Sequence, residues 1–310
     1  MKNAESKHSE LTKHPRDIPE KLWVQTGMFS LTFLVAAIGV PWYQLAVGFE
    51  WSAWIAFLAY YFATGMAITA GYHRLWSHNS YKARPSLKVI LALLGAGAIQ
   101  NSILLWVSGH RDHHRHVDDY DQDPYSAQRG LWFSHMGWML RDYPSGRPNL
   151  ENVPDLKRDA IVQWQHDNYL ALVLAMNIGP PLIMGFLTGD YLANFLLMGV
   201  LRLVFTHHCT FFINSLAHYW GSQPYTDECS ARDNTWLALF TYGEGYHNFH
   251  HRFQTDYRNG VRWWQFDPTK WLIFASSITG LATDLNRVPL ASINAARQDM
   301  REKSAEAASA

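Results

Sequence analysis

The sequence predicts an all-α integral membrane protein in which four transmembrane helices form two hairpins beneath a helical cytoplasmic cap. Two observations lead to this fold class. Four apolar stretches of about twenty residues occur in two pairs, and a short turn joins the members of each pair. Aromatic residues make up 15% of the chain and include fourteen tryptophans, as is typical of proteins that contact the membrane interface. A third observation, sixteen histidines, predicts that the cap holds a histidine-ligated site for two metal ions.

The first predicted hairpin lies between Lys21 and Arg74, an interval that contains no other Lys or Arg. Its spans are residues 28–47 and 51–70, separated by the turn at residues 48–50. As a helix that rises about 1.5 Å per residue, each span is long enough to cross a hydrocarbon core of about 30 Å. A buried hairpin of a soluble protein is the alternative. The absence of any charge except Glu50 argues against it.

The second predicted hairpin comprises residues 168–187 and 191–213, joined at residues 188–190. Pro180 and Pro181 are expected to kink the first of these spans, which a helix bundle tolerates. Residues 86–107 are also apolar, but Gln100, Asn101 and Ser102 interrupt them. We predict a broken helix here, packed against the membrane interface and the active site, and not a fifth span.

Positive charge predicts the orientation of the chain. Both turns between spans lack Lys and Arg, whereas the segments before the first span, between the hairpins and after Arg232 are rich in them. By the positive-inside rule, both termini and the cap lie in the cytoplasm. We expect one domain over residues 23–290, flanked by polar tails at residues 1–22 and 291–310. The last residues, 303–310, are expected to fray.

Charge and cysteine content exclude several classes of protein. Lys and Arg number 26, as do Asp and Glu, so nothing indicates a nucleic acid as the partner. Cys209 and Cys229 are the two cysteines of the chain. A disulfide framework and a cysteine-rich zinc site are therefore excluded.

The histidines concentrate in three boxes. Box 1 is residues 73–78 (HRLWSH), box 2 is residues 110–116 (HRDHHRH) and box 3 is residues 247–251 (HNFHH). Boxes 2 and 3 share the spacing H-x-x-H-H, which on a helix places three imidazoles on one face, where they can converge on a metal site. His73 and His78 are five residues apart and point about 140° apart on a regular α-helix. We therefore expect them to serve two different ions.

The number and type of these side chains indicate two metal ions. The three boxes contain nine histidines, more than the roughly four to six ligands that one ion takes. An imidazole shell suits iron, copper, nickel or zinc and disfavours calcium and magnesium. Helix-capping or solvated histidines are the alternative, which three boxes at membrane exits disfavour. A metal transporter would place its ligands along a path through the bilayer, whereas these boxes lie at or beyond the ends of the spans.

These motifs resemble the membrane fatty acyl desaturases of the stearoyl-CoA (Δ9) desaturase type. The resemblance runs from about residue 60 to residue 264. It includes residues 71–78, Asp123-Pro124, Arg129-Gly130, residues 133–138 and residues 214–218. It implies that nine histidines bind two iron ions and that Asn214 binds through a water: His73, His78, His110, His113, His114, His218, His247, His250 and His251.

Seven histidines fall outside the implied ligand set, among them His116, His135, His207 and His208. His116 extends box 2 but has no ligand counterpart, and His135 is expected to pack or to form hydrogen bonds in the cap. His207 and His208 lie near the cytoplasmic end of the fourth span, and we interpret both as structural.

The resemblance implies an oxygen-dependent reaction. An unactivated methylene has no acidic proton and no leaving group, so a strong oxidant must remove its hydrogens. Iron with O2 as co-substrate and two external electrons supplies one. The implied reaction removes two hydrogens from adjacent carbons of a long-chain saturated fatty acyl group, forming a Δ9 cis double bond and water. A di-iron membrane hydroxylase of fatty acids or alkanes shares this chemistry and is the alternative.

The resemblance also implies a substrate tunnel. The residues expected to bend the acyl chain are Gln100, Trp106, Thr210 and Phe211. Phe211 stands where animal members have tryptophan. Tyr61 and Gly65, on the second span, are expected to form the closed end of the tunnel. Ordinary packing within the membrane is the alternative for the aromatic residues.

The carrier of the acyl group is left open by the sequence. Asn101 matches a polar position of the family, but Ser108-Gly109 replaces an Arg-Asp pair that contacts coenzyme A in animal members. A phospholipid or a carrier protein is therefore an alternative to coenzyme A. No cytochrome b5 motif, dinucleotide-binding loop or cysteine cluster is present. We expect a separate electron donor such as cytochrome b5, ferredoxin or a reductase, and a bacterial inner membrane, or otherwise the endoplasmic reticulum, as the location.

Overall fold

The computed structural model describes residues 19–309, which are mostly helical. In this range four helices are long and apolar enough to cross a membrane, and we name them spans 1 to 4: Trp23–Ala46, Trp51–Ser77, Tyr169–Thr188 and Tyr191–Tyr219. The two predicted hairpins and the helical fold class are confirmed. Spans 1, 2 and 4 extend further than expected at the ends remote from the turns. Most of the predicted N-terminal tail, residues 1–18, lies outside the described residues.

Both helices of the first hairpin change from α- to π-helical geometry. Span 1 consists of α1 (Trp23–Leu34), a π-helical stretch (Val35–Gly39) and α2 (Val40–Ala46). Span 2 consists of α3 (Trp51–Met66) and a longer π-helical stretch (Ala67–Ser77). Most side chains of span 1 are exposed, as contact with lipid requires, whereas more than half of span 2 is buried.

The segment between the hairpins contains the predicted broken helix. Strand β1 (Lys82–Ala83) precedes α4 (Pro85–Ala96), and α5 (Ile103–His116) follows the break. Proline at the first position of α4 suits a helix start, where its missing N–H is not needed. Ser102 caps α5 by accepting a hydrogen bond from Leu105 N.

Short helices then lead into the second hairpin. They are α6 (Leu131–His135), α7 (Ala160–Asp167) and the 3₁₀ turns Ala127–Arg129, Gly137–Met139, Pro144–Gly146, Leu150–Asn152 and Leu156–Arg158. Span 3 is α8 (Tyr169–Thr188); span 4 consists of α9 (Tyr191–Asn194), a π-helical stretch (Phe195–Leu201), α10 (Arg202–Asn214) and α11 (Leu216–Tyr219). Gly189 ends span 3 with a φ of +76°, a left-handed conformation that glycine adopts readily.

The remaining helices build the cap. They are α12 (Thr235–Phe240), α13 (His247–Arg252), α14 (Pro268–Ile278) and α15 (Leu290–Ser309). Strand β2 (Ala282–Thr283) pairs with β1 in antiparallel register.

The C-terminal segment corrects one expectation. Residues 291–309 belong to α15, so the fraying expected of residues 303–310 is not seen in residues 303–309, the part that the structure describes. Ile293 and Ala296 are buried and lie three residues apart, which gives the otherwise polar helix a narrow apolar stripe. Ile293 packs in a cluster with Tyr225 and Phe249, and Phe249 belongs to box 3.

The largest buried cluster lies where the π-helical end of span 2 meets α4 and α5. Tyr72, Leu91, Ile103 and Val107 are among its fully buried or nearly buried members. Because box 1 ends span 2 and box 2 ends α5, this apolar contact fixes the two boxes relative to each other.

Candidate metal centre

The structure places all nine predicted histidines in two groups. Each histidine contributes one ring nitrogen to its group, and these nitrogens lie within 4.8 Å of one another. The five-histidine group is His73, His78, His110, His114 and His250. The four-histidine group is His113, His218, His247 and His251. In residues 19–309 no further histidine belongs to either group.

His73 and His78 lie in the same group, so the expectation that they serve two different ions is wrong. The cause is the π-helical stretch Ala67–Ser77. The His78 N–H donates to the His73 carbonyl at 3.2 Å, which is the i to i+5 pattern of a π-helix. Residues five apart therefore share a face, and the two ring centroids are 4.8 Å apart.

Boxes 2 and 3 each contribute to both groups. On α5, His110 and His114 belong to the five-histidine group and His113 to the other. On α13, His247 and His251, which are four residues apart, belong to the four-histidine group, and His250 belongs to the five-histidine group. Positions i+3 and i+4 lie about 100° apart on a helix, which separates their side chains. The expected convergence of all three imidazoles of one box is therefore wrong; each helix instead bridges the two groups.

The spacing of the ring nitrogens fits metal ions. Neighbouring Nε2 atoms are 2.9–3.2 Å apart in five pairs: His78–His110, His73–His250, His114–His250, His247–His251 and His218–His247. Two nitrogens bound to one ion at about 2.1 Å and at right angles would be about 3.0 Å apart. Each group could hold a metal ion.

Burial keeps six of the nine imidazoles neutral. It lowers the pKa well below 6.5, and repulsion from neighbouring imidazoles lowers it further, for His78, His110, His114, His247, His250 and His251. A neutral ring presents a nitrogen lone pair, which is the form that binds metal.

Carboxylates lie behind two of the rings. Glu244 Oε2 is 2.9 Å from His73 Nδ1, and Asp123 Oδ1 is 2.9 Å from His113 Nδ1. Burial alone would raise the pKa of Glu244, but the Arg74 guanidinium at 2.7 Å and the nearby His73 outweigh it and lower the pKa to about 2. A carboxylate on the outer nitrogen fixes the tautomer and the orientation of a metal-binding histidine.

A third ring is held through a hydroxyl group. His218 Nδ1 lies 2.8 Å from Ser230 Oγ, and Ser230 Oγ donates to Asp118 Oδ1 at 2.6 Å. Glu244, Asp118 and Ser230 were not predicted from the sequence. Acidic residues shortly before or after a box were an available signal for Glu244 and Asp118; nothing local marks Ser230, which lies 12 residues from His218.

A cavity of about 390 Å³ lies against both groups. Its walls include ring residues from each group, such as His73, His110 and His247. Six of the predicted substrate residues, together with Asn214, also line it: Gly65, Gln100, Asn101, Trp106, Thr210 and Phe211.

Tyr61 is the predicted tunnel residue that does not line the cavity. Its hydroxyl donates to the Phe240 carbonyl at 2.8 Å and lies 3.1 Å from Cys209 Sγ. Tyr242 lines the cavity instead and packs on Gly65, where an added Cβ would lie 2.0 Å from Tyr242 Cζ. Tyr61 packs against the Tyr242 ring with centroids 5.1 Å apart, and its expected role at the closed end of the tunnel stays a prediction.

A chain of hydrogen bonds crosses the cavity wall. Gln100 Nε2 donates to Thr210 Oγ1 at 2.9 Å, and Trp106 Nε1 donates to Gln100 Oε1 at 3.3 Å. The Trp106 ring stacks on His110 with centroids 4.9 Å apart. The break between α4 and α5 is thereby tied both to span 4 and to the five-histidine group.

Comparison with known proteins identifies the family. Residues 49–277 match the fatty acid desaturase family. The chain belongs to the fatty acid desaturase family. The resemblance inferred from the histidine boxes is thus confirmed.

Curated relatives of this chain include yeast and cyanobacterial proteins. The chain is 44% identical to a probable acyl-CoA desaturase of Schizosaccharomyces pombe, over 89% of this chain and 59% of the relative. It is 42% identical to acyl-CoA desaturase 1 of Saccharomyces cerevisiae, over 82% of this chain and 51% of the relative. It is 36% identical to the sn-2 palmitoyl-lipid 9-desaturase of a Nostoc species, over 85% of this chain and 90% of the relative. The chain therefore spans 51–59% of the two yeast relatives' length.

The chain lacks a charged pair in front of box 2. Ser108 is buried, and its hydroxyl donates to the Asn149 carbonyl at 2.8 Å. Gly109 lines the cavity and has open space where a Cβ would lie. Charged residues at the cavity come from another segment, where Arg147 pairs with Asp142 at 2.7 Å.

Histidines outside the two groups have structural contacts. His135 lies 3.0 Å from both Ser215 Oγ and His208 Nδ1, in agreement with the expected hydrogen bonding in the cap. His207 Nε2 lies 2.9 Å from the Ala98 carbonyl. His116, the last residue of α5, is half-buried.

Proposed function

We propose that the protein is an oxygen-dependent fatty acyl desaturase that introduces a Δ9 cis double bond into a long-chain saturated acyl group. The supporting observation is the cavity, whose walls include histidines of both groups and apolar side chains of the spans. Family membership agrees with it, since relatives are named acyl-CoA desaturases and a palmitoyl-lipid 9-desaturase.

The two histidine groups are proposed to bind two iron ions, one ion each, with Asn214 binding through a water. With O2 and two external electrons, iron supplies an oxidant strong enough to remove hydrogen from an unactivated methylene. An all-imidazole donor set of five and four nitrogens supports a first-row transition metal. Glu244, Asp123 and Ser230 hold the outer nitrogens of three rings, which keeps the inner nitrogens directed at the ion.

The cavity residues are proposed to position the acyl chain. Trp106 places its indole against His110, while Gln100 and Thr210 present linked polar groups where the chain has to bend. Tyr242 and Gly65 form the apolar floor. Selection of two adjacent carbons among many similar methylenes requires this kind of fixed geometry.

The acyl group is proposed to arrive on coenzyme A or on a membrane lipid, and the electrons from a separate donor such as cytochrome b5, ferredoxin or a reductase. Four apolar helices support an integral membrane location. Both termini and the histidine groups are proposed to face the cytoplasm, in a bacterial inner membrane or otherwise in the endoplasmic reticulum.

Fatty-acid profiling of a host that lacks its own Δ9 desaturase tests this function. Expression of the full chain should yield alkenes with the bond at carbon 9 counted from the carboxyl end. His113→Ala and His250→Ala should abolish the product while the protein stays in the membrane, and His116→Ala, outside both groups, should not. Hydroxylated acyl chains in place of alkenes would establish the hydroxylase alternative.

Metal analysis of the purified protein tests the di-iron centre. Two iron ions per chain are expected, or two zinc ions if overexpression loads the wrong metal, since imidazole sites accept both. A single ion per chain in fully loaded protein refutes it.

A further inference from the structure

Arg202 is a buried cation within span 4. Its side chain is fully buried, and within residues 19–309 none of its hydrogen bonds goes to a carboxylate. A charged side chain inside a membrane span is costly and is retained where it has a role. Arg202 does not line the cavity, so any role in the reaction has to act through other residues.

The guanidinium of Arg202 connects four parts of the fold. It donates to the Gly97 carbonyl at 2.7 Å, to the Met198 carbonyl at 2.9 Å and to Asn177 Oδ1 at 2.5 Å. It also lies 4.9 Å from the ring centroid of Tyr60. Spans 2, 3 and 4 and the end of α4 therefore meet at this one side chain.

The contact with Gly97 caps the end of α4. The last carbonyls of a helix lack partners within the helix and carry partial negative charge, which a nearby cation stabilises. His207, five residues after Arg202, takes the next carbonyl, that of Ala98. Two side chains of span 4 thus hold the start of the break between α4 and α5.

The segment between α4 and α5, residues 97–102, has a strained backbone. Ile99 has a φ of +50° and Asn101 a φ of +75°. A β-branched residue rarely adopts the left-handed region, and such a conformation persists only where the surrounding contacts enforce it. Gln100 lies between these two residues, and all three line the cavity.

We propose that Arg202 is a positioning residue that fixes the turn at residues 97–102, and with it Gln100, and so determines which carbons of the acyl chain face the histidine groups. The inference rests on the proposed desaturase function. A purely structural Arg202 would affect the amount of folded protein and leave the double-bond position unchanged.

The test compares double-bond positions in the products of the full-length wild type, Arg202→Met, Arg202→Lys and Asn177→Leu. In Arg202→Met the fraction of product with a displaced bond should rise about tenfold or more, which corresponds to about 1.4 kcal/mol of lost discrimination. Arg202→Lys keeps the charge and should give a smaller shift, and metal content should match the wild type in each variant.

Asn194→Leu is the matched control. Asn194 is a fully buried polar residue of the same span, but it bonds to Thr188 and to the Asp190 carbonyl at the turn, far from residues 97–102. It should lower stability and leave the bond position unchanged. If Arg202→Met does not fold, the double-bond positions in the products of Asn177→Leu and Arg202→Lys test the proposal.

Two negative outcomes are distinguishable. Alkene from the wild type with an unaltered bond position in the recovered variants overturns the role of Arg202 alone. A wild type that makes no alkene overturns the proposed function, and the positioning role with it.

Discussion

The orientation of His218 depends on a single hydroxyl group. A serine hydroxyl has one hydrogen, and Ser230 gives it to Asp118 at 2.6 Å. Ser230 Oγ can then only accept at its 2.8 Å contact with His218 Nδ1. The proton of the imidazole is therefore held on Nδ1, and Nε2 offers its lone pair to the four-histidine group.

We expect Ser230→Ala to weaken metal binding by the four-histidine group about 10–100-fold, because His218 loses the partner that fixes its tautomer. Metal content after titration with a chelator measures the effect. Ser126→Ala is the control, since the Ser126 hydroxyl is buried and has no hydrogen-bond partner among the described residues. Equal metal retention in the two variants would contradict the role assigned to Ser230.

The residues at the floor of the cavity, Gly65 and Tyr242, predict how substitutions shift the preferred length of the acyl chain. A methyl group at residue 65 would overlap the Tyr242 ring, whose rear packs on Tyr61 and Phe62 at centroid distances of 5.1 and 5.7 Å. In Gly65→Ala the Tyr242 ring has to move into the cavity, so preference should shift toward shorter chains. Overpacking costs about 1–3 kcal/mol, which is about ten- to a hundredfold in relative rate.

Tyr242→Ala should shift the preference toward longer chains, because it removes the ring from the floor. Competition between sixteen- and eighteen-carbon substrates in one assay measures both effects. Tyr61→Phe, which removes a hydroxyl outside the cavity, should keep the wild-type ratio. An unchanged ratio in Gly65→Ala and Tyr242→Ala alike would mean that the floor lies elsewhere.

At the scale of elements, the hairpins were predictable and the π-helix was not. Apolar length and missing charge mark a span directly in the sequence, so only the ends remote from the turns were misjudged. The stretch Ala67–Ser77 carries no local sign of π-helical geometry. Contacts distant in sequence accompany it, such as those of Arg74 with Glu244 and Asp267, and a periodicity argument cannot include them. For this reason the sequence did not predict that His73 and His78 belong to one group.

Helix α15 was missed because its apolar stripe contains few residues, yet it supports box 3. Ile293 is 1% exposed and packs with Phe249, the residue immediately before His250. We expect Ile293→Ala to lower the free energy of unfolding by about 2–4 kcal/mol through the cavity it leaves. A lower Tm of the purified protein, together with faster metal loss, would show this.

Asn294→Ala is the comparison for Ile293→Ala, because residue 294 is exposed on the same helix. It should leave both Tm and metal retention unchanged. A Tm for Ile293→Ala equal to that of Asn294→Ala would mean that α15 does not stabilise the cap.

The whole molecule has two distinct ends. Tyr43, at the end of span 1, donates a hydrogen bond to Asp190 in the second turn, so the two turns lie at the same end. The opposite end carries His73, near the end of span 2, and His218, near the end of span 4. The sequence predicted this polarity from the distribution of charge. It could not predict how the nine histidines divide into two groups, because that depends on how α5 and α13 face each other.

The distribution of charge predicts which side of the membrane each of these two ends faces. Neither turn, residues 48–50 or 188–190, contains Lys or Arg, whereas the histidine end is rich in both, so the histidine end should face the cytoplasm. Protease-cleavable tags at Met1 and Ala310 should therefore be cut only from the cytoplasmic side. A tag inserted at Gly189, where φ is +76° and a Cβ would meet open space, should be cut only from the outside. Cleavage of either terminal tag from the outside would contradict this orientation. It would also separate the histidine groups from reduced electron donors in the cytoplasm, so the topology experiment bears on the chemistry as well as on the fold.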